Sequence, residues 1–301
     1  MKNLFFKEFA LFLGSVVTVV TLSSCSEEVS NPTDLSETLT HVNISVSDFS
    51  IYMEDFSGAA TRSESPATYN GVKAMILAFY TSDGTEIYKS TQLKGSTDNF
   101  GQFSCDLPIG SYTMVVLGYN HNDGDELALT SPTAAAYTGS FTRETFCATQ
   151  SVTVTGTAAL NLTATLSRIN TMLIVRSTDV RSEQIAKVRT TFSAGGMSFS
   201  PTTGLATANT GFSIVNNLST AVGAVIGIGT YAFLATDEQT MNITLEVLDN
   251  DDNVLCTKAI SSVPLKRNRK TTLRGALFTP SASSLSFQLT TTYLDDLTVT
   301  F

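Results

Sequence analysis

The sequence has no tryptophan, two histidines, four cysteines and seven prolines, and only 15% of its 301 residues are charged. Each scarcity excludes something. A chain this poor in charge yet 42% hydrophobic buries a core instead of staying disordered. Acidic residues outnumber basic ones by 27 to 18, a net charge of −9. A phosphate-binding face would work against that repulsion, so nucleic acid is excluded as a partner. His41 and His121 come with no Gly-x-Ser-x-Gly elbow and no His-Glu-x-x-His helix. No enzyme, cofactor or metal site is therefore expected. Asp249-Asn250-Asp251-Asp252-Asn253 has the alternating oxygens of a calcium loop, but Val254 stands where such loops need glycine, so it reads as a hairpin turn. Asn122 to Glu126 is a similar acidic turn. Without tryptophan the favoured platform for stacking sugars is missing, although nine tyrosines, Tyr119 among the loop candidates, leave carbohydrate binding open.

What is present begins with an export signal. Lys2 and Lys7 flank the start of an apolar stretch from Phe9 to Leu22, of the length a secretory signal requires and too short to span a bilayer comfortably. It ends in Leu22-Ser23-Ser24-Cys25, which resembles the lipobox of bacterial lipoproteins and makes Cys25 the acylated, palmitate-bearing first residue of the mature chain. Ser26-Glu27-Glu28 resembles the surface-export tag of some Gram-negative outer-membrane lipoproteins, and reads equally as the start of a solvated linker. Removing residues 1–24 takes away Lys2, Lys7 and Glu8, leaving 16 basic against 26 acidic side chains, a net −10. Residues 25–37, polar and acidic, follow as a flexible tether. Leu218 to Ala235 is uncharged, but Gly223, Gly227 and Gly229 make it read as strand, turn, strand and not as a membrane helix.

Beyond the tether the chain reads as all-β. Helical periodicity is nearly absent, while apolar residues alternate at Val42, Ile44 and Val46, at Phe103, Cys105 and Leu107, at Ile243, Leu245 and Val247, at Phe287 and Leu289, and at Leu297, Val299 and Phe301. Ala74 to Tyr80, then Ser82-Asp83-Gly84, then Thr85 to Tyr88 is a hairpin. Ile109-Gly110-Ser111-Tyr112 and Ile228-Gly229-Thr230-Tyr231 repeat a pattern at an offset of one domain. Two similar β-sandwiches are expected, over residues 38–166 and 167–301, meeting near Leu166-Ser167-Arg168.

Three cysteines remain after Cys25, so at least one is free or pairs between chains. Cys105 and Cys256 share faces with apolar neighbours and read as core residues, while a Cys105–Cys147 bridge stays open as an alternative. Lys266, Arg267, Arg269, Lys270 and Arg274 concentrate basic charge, either as a contact for an acidic partner or as the solvated face of a strand.

The order of these features, with Val263-Pro264-Leu265-Lys266-Arg267-Asn268-Arg269-Lys270-Thr271 leading to Leu273-Arg274-Gly275, resembles the fimbrillins, or type V pilins, over essentially the whole mature chain. The resemblance implies two transthyretin-like β-sandwiches and transport to the outer membrane as a lipoprotein. It also implies polymerisation after a surface Arg- or Lys-specific protease removes the first strand, so that a strand of a neighbouring subunit enters the groove. In this sequence the removable strand is His41 to Met53, and cleavage falls between Arg62 and Ser63, in a segment whose small residues read as an exposed loop.

The exchange has a physical basis in the residues themselves. Val42, Ile44 and Val46 have one parity and Phe49, Ile51 and Met53 the other, so the strand must bulge or bend near Ser47-Asp48. Its removal leaves an apolar groove with unpaired backbone that another extended segment fills. Leu285, Phe287, Leu289, Tyr293, Leu297, Val299 and Phe301 keep one parity, making the C-terminal segment a candidate donor strand or a further sandwich strand. The leading expectation is a structural fimbrial subunit at the cell surface whose partners are other subunits, the outer membrane and an unidentified adhesion ligand. The alternative is a surface lipoprotein that does not polymerise: a pilus anchor or tip, or an adhesin for glycans or host ligands.

Overall fold

A computed structural model of the chain describes residues 38–55, 58–122, 126–156, 158–279 and 286–290. Cys25 and the rest of residues 1–37, the centre of the acidic turn at 123–125, and Leu285, Tyr293, Leu297, Val299 and Phe301 lie outside the described residues. All regular elements described are strands. The first ten are β1 (Leu39–Asp55), β2 (Gly58–Glu64), β3 (Ala74–Tyr80), β4 (Glu86–Leu93), β5 (Gln102–Pro108), β6 (Gly110–Tyr119), β7 (Leu127–Ser131), β8 (Ala134–Tyr137), β9 (Thr145–Val154) and β10 (Leu160–Arg168). The other ten are β11 (Thr171–Ser177), β12 (Lys187–Phe192), β13 (Ser198–Ser200), β14 (Leu205–Ala206), β15 (Phe212–Asn217), β16 (Gly227–Ala232), β17 (Glu238–Leu248), β18 (Val254–Lys266), β19 (Lys270–Gly275) and β20 (Ser286–Thr290). Alternation dictates them. In β5, Phe103, Cys105 and Leu107 are buried while Gln102, Ser104 and Asp106 are exposed, the period of two that a one-sided strand requires.

Hydrogen-bonded strands run in the order β2-β1-β10-β9-β6-β3-β4, with β5 also on β1. β10 and β9 share only the pairs Ser167–Cys147 and Arg168–Phe146. The sheet folds over at that corner, and side chains of both wings, such as Ile44 and Leu166 against Leu77 and Val116, meet in a first core. A second core gathers Leu173, Val175, Val188, Leu245 and Leu273 from the sheets β16-β11-β19-β20 and β15-β12-β17-β18.

The strand orders repeat. β5-β1-β10 corresponds to β16-β11-β19, and β4-β3-β6-β9 to β15-β12-β17-β18. In each set the first strand runs parallel to the last, β1 beside β10 and β11 beside β19. The Ile-Gly-(Ser/Thr)-Tyr pattern does not mark this repeat. Its first copy opens β6, between β3 and β9, and its second lies in β16, beside β11, which the topology matches to β5. The likeness is local chemistry: Gly110 leaves room for the Tyr112 ring, whose hydroxyl donates back to Pro108 O at 2.9 Å.

A third apolar cluster lies on the outer face of β3 and β6 and takes Ile169, Phe199 and Phe233 from later in the chain. Phe199 and Phe233 are fully buried and stacked at 4.4 Å between centroids. The sheet β14-β13-β8-β7 crosses the same seam. The uncharged run from Leu218 departs from expectation. It turns at Gly223 (φ +83°) and supplies one strand, β16, not two. Among the described residues no helix is long and apolar enough to cross a membrane.

Phe199→Ala removes half of the stacked pair. A loss of about 3–5 kcal/mol and separation of one calorimetric unfolding transition into two are expected.

Candidate functional site: the seat of the first strand

β1 lies inside its sheet. Residues 42–50 pair in parallel with β10, residues 39–45 pair antiparallel with β5, and residues 49–55 pair with β2. Val42, Ile44 and Val46 stand opposite Leu160, Leu162 and Ala164, and Phe49 opposite Leu166. Three residues of β1 thus advance beside two of β10, the bulge that the parity change demands. The extra residue, Ser47, sets its hydroxyl 3.2 Å from that of Thr165. Phe49 rejoins the inward face, and all four apolar side chains are buried.

At about 1.5–3 kcal/mol for each buried side chain, the four contribute roughly 6–12 kcal/mol, comparable to the whole stability of a domain. β1 is therefore part of the first core and not an appendage on it.

The seat of Phe49 is built from distant parts of the chain. Its ring lies 5.6 Å from Tyr69 and 5.1 Å from Phe146, and those two rings meet edge to face at 5.6 Å. Gly118 floors it, since a Cβ there would stand 3.1 Å from the Phe49 ring. The Tyr69 hydroxyl donates to Glu144 Oε1 at 2.7 Å and accepts from Arg168 Nη2 at 3.0 Å. Arg168 and Glu144 form a buried ion pair, with the guanidinium 4.9 Å from the Phe146 ring centroid. Arg168 Nη1 also donates to Asn268 Oδ1 at 3.1 Å. Burial and the Glu144 charge push the Tyr69 hydroxyl far above its ordinary value, so it remains a donor. None of Tyr69, Gly118, Glu144 and Phe146 was singled out from sequence. Ordinary residues scattered over a hundred positions carry no local signal.

Arg62 is not in a loop. It lies in β2 opposite Ile51, with Ser63 opposite Ser50. The small residues Gly58, Ala59 and Ala60, read as loop-forming, extend because β1 offers its free edge to pair with. Among the described residues β2 pairs with β1 alone, so a cut after Arg62 would fall inside β2 and leave residues 58–62 joined to β1 as one hairpin, with Ser63 and Glu64 on the other side.

Of the candidate donor segment, Phe287 and Leu289 lie in β20, opposite Leu273 and Thr271 of β19. The chain reaches β20 through a polar clamp. Asp179 Oδ1 accepts from the N–H of Leu277 at 2.8 Å, and Oδ2 from those of Phe278 at 2.7 Å and Thr279 at 2.9 Å. Lys258 Nζ donates to Thr279 O at 2.6 Å. Burial pushes the Asp179 carboxyl up, yet these donors outweigh it and hold the group below the usual carboxylate range.

The remaining candidates resolve into structural roles. Cys105, Cys147 and Cys256 are free and buried. The Cys105–Cys147 bridge is not formed, because Cys105 faces the first core and Cys147 the third cluster. Burial raises both thiols, Cys105 to about 11 and Cys147 to about 12, which makes them inert. The basic stretch is partnered internally. Lys266 pairs with Glu238, Arg267 with Asp237 at 2.8 Å, and Arg269 is buried. Asp249 Oδ1 accepts the N–H groups of Asp251 and Asn253, both at 2.9 Å, closing the β17–β18 hairpin turn. His41 Nδ1 meets Asp106 Oδ1 at 2.8 Å across β1 and β5, and the His121 ring packs edge-on to Tyr119. Tyr119 itself is buried at the end of β6 and offers no sugar platform.

Comparison with solved structures places this fold. The fimbrial anchor protein Mfa2 from Porphyromonas gingivalis aligns with a TM-score of 0.50 at 13% identity, over 85% of this chain and 100% of that one. Two candidate adhesins from Bacteroides ovatus align with TM-scores of 0.51 and 0.50 at 11% and 13% identity. They cover 83% and 80% of this chain, and 96% and 88% of theirs. The chain shares its fold with this fimbrial anchor and these adhesins, in keeping with the sequence resemblance. A family model matches residues 36–297, and the chain belongs to that family, the family of unknown function DUF6562. No curated protein matches it.

Ile44→Ala should lower stability by about 2–5 kcal/mol, read from the urea midpoint. Asp179 has a folded pKa below its unfolded one, so its stabilisation is complete above about pH 4 and is lost as the pH falls through the folded value. Asp179→Asn should lower the denaturation midpoint at pH 7, and the difference from wild type should shrink towards zero near pH 2.

Proposed function

We propose that the chain is a structural fimbrial subunit of the cell surface. Residues 1–24 direct export, Cys25 carries the lipid that holds the protein to the outer membrane, and residues 25–37 tether two transthyretin-like sandwiches, 38–166 and 167–301. A surface protease specific for Arg or Lys cuts between Arg62 and Ser63 and frees the strand bearing Val42, Ile44, Val46, Phe49, Ile51 and Met53. Another subunit's strand then fills the vacancy, while the C-terminal segment, with Leu285, Phe287, Leu289, Leu297, Val299 and Phe301, is donated onward. The polymer supports adhesion.

The observation that carries this reading is the position of β1. It is N-terminal in the chain, interior in the sheet and parallel to β10. One cut therefore takes a whole inner strand from the sandwich, together with residues 58–62 of β2, and leaves β3 to β10 continuous. The seat left behind would expose backbone groups of β10 and β5, a template for strand addition. A second reading, a pilus anchor that keeps β1, draws support from Arg62 being paired within β2 instead of lying in an open loop.

The N-terminal mass of protein recovered from the outer surface of cells separates the two. A start at Ser63 is expected for the polymerising subunit. A lipidated start at Cys25, on a protein found in assembled pili, would establish the anchor reading in its place.

A further inference from the structure

The seat of β1 is uneven along its length. Val42, Ile44 and Val46 rest on aliphatic and mixed neighbours, with Leu160, Leu162 and Ala164 opposite on β10, and Cys105 and Phe103 opposite Val42 and Ile44 on β5. Such sites accept one aliphatic side chain for another at little loss. The seat of Phe49 is different, because its walls cannot move inward. Tyr69 is held by hydrogen bonds to Glu144 and Arg168. Phe146 carries the Arg168 guanidinium on its ring, and Arg168 is tied in turn to Glu144 and Asn268. A slot braced by a buried ion pair does not collapse when emptied, and the loss on truncating a buried side chain is largest where collapse is blocked. The glycine floor at residue 118 leaves room for the ring edge, since a Cβ there would stand 3.1 Å from it.

Resting on the strand-exchange reading above, we propose that the emptied groove selects its incoming strand by an aromatic side chain in the Phe49 slot. The required pattern is set by β1: apolar residues at the first, third and fifth places and an aromatic at the eighth, the odd step being the bulge at Ser47. The C-terminal segment of this chain does not meet it. With Tyr293 at the eighth place the first and third are Ser286 and Gln288, and with Phe301 there the third is Asp296. The occupant is therefore a strand of a different subunit, one carrying this spacing, and not the tail of a second copy.

The test uses the full chain with a site for a sequence-specific endoprotease inserted between Asp55 and Gly58. After cutting, synthetic peptides are offered as replacements for β1, and exchange is followed by native mass spectrometry and thermal melting. A peptide of residues 38–55 should re-enter and restore the melting temperature. The same peptide with Phe49→Ala should bind at least about 100-fold more weakly, and a peptide of residues 285–301 should not compete. Binding of the Phe49→Ala peptide within about threefold of the original, or entry of the 285–301 peptide with equal affinity, overturns the selection by the slot. Failure of the 38–55 peptide itself to enter overturns the strand-exchange reading beneath it.

Discussion

The burial of one apolar row of β1, Val42, Ile44, Val46 and Phe49, beside β10 is the constraint from which the first half of the molecule follows. A strand parallel to its partner cannot reach it by a hairpin and needs a long crossover. Here the crossover is the whole of β2 to β9. The pairing of β1 with β10 joins the two ends of the first sandwich and so carries a large loop-closure cost. Among the described strands, β1 is joined by the chain to β2 alone, at the outside of the sheet.

The seat of Phe49 joins that row to the rest of the protein. Tyr69 and Phe146 face the ring on one side and the Arg168–Glu144 pair on the other. A buried ion pair gains little over apolar packing, but breaking it by losing one partner is costly. Its effect here is positional: it fixes two rings and reaches Asn268 in the turn between β18 and β19. Around it Asn170 adds bonds from Thr145 N–H to its Oδ1 at 3.4 Å and from its own Nδ2 to Arg143 O at 2.6 Å, and the cluster of Phe199 and Phe233 closes the seam. The corner where the sheet folds over is thus also where the later strands attach.

Charge is used sparingly and locally. Glu238 and Asp237 neutralise Lys266 and Arg267, Lys187 meets Asp252 at 2.8 Å, and Arg189 meets Glu246 at 2.7 Å. Exposed pairs of this kind add little stability, and in the basic stretch they neutralise Lys266 and Arg267 locally. Asp179 and Lys258 have a more structural task, since they hold both the donors and the acceptor of residues 277–279 at the point where the chain departs for β20.

Much of this was legible in the residues. The all-β class, the hairpin of β3 and β4, the turn at Asp249 and the bulge in β1 all follow from alternation and turn chemistry, which are local and survive without knowledge of neighbours. The parity break between Val46 and Phe49 even locates the extra residue, because side chains that must share a face count their own spacing. What alternation cannot carry is partnership. Nothing in the order of residues says that β1 lies parallel to β10, that Arg62 is drawn into a strand, that Cys105 and Cys147 face different cores, or that the tyrosine-bearing repeats occupy unlike strands. Those outcomes depend on which distant surfaces meet. A side chain's sequence neighbours determine its face, and only the packed sheets decide what that face touches.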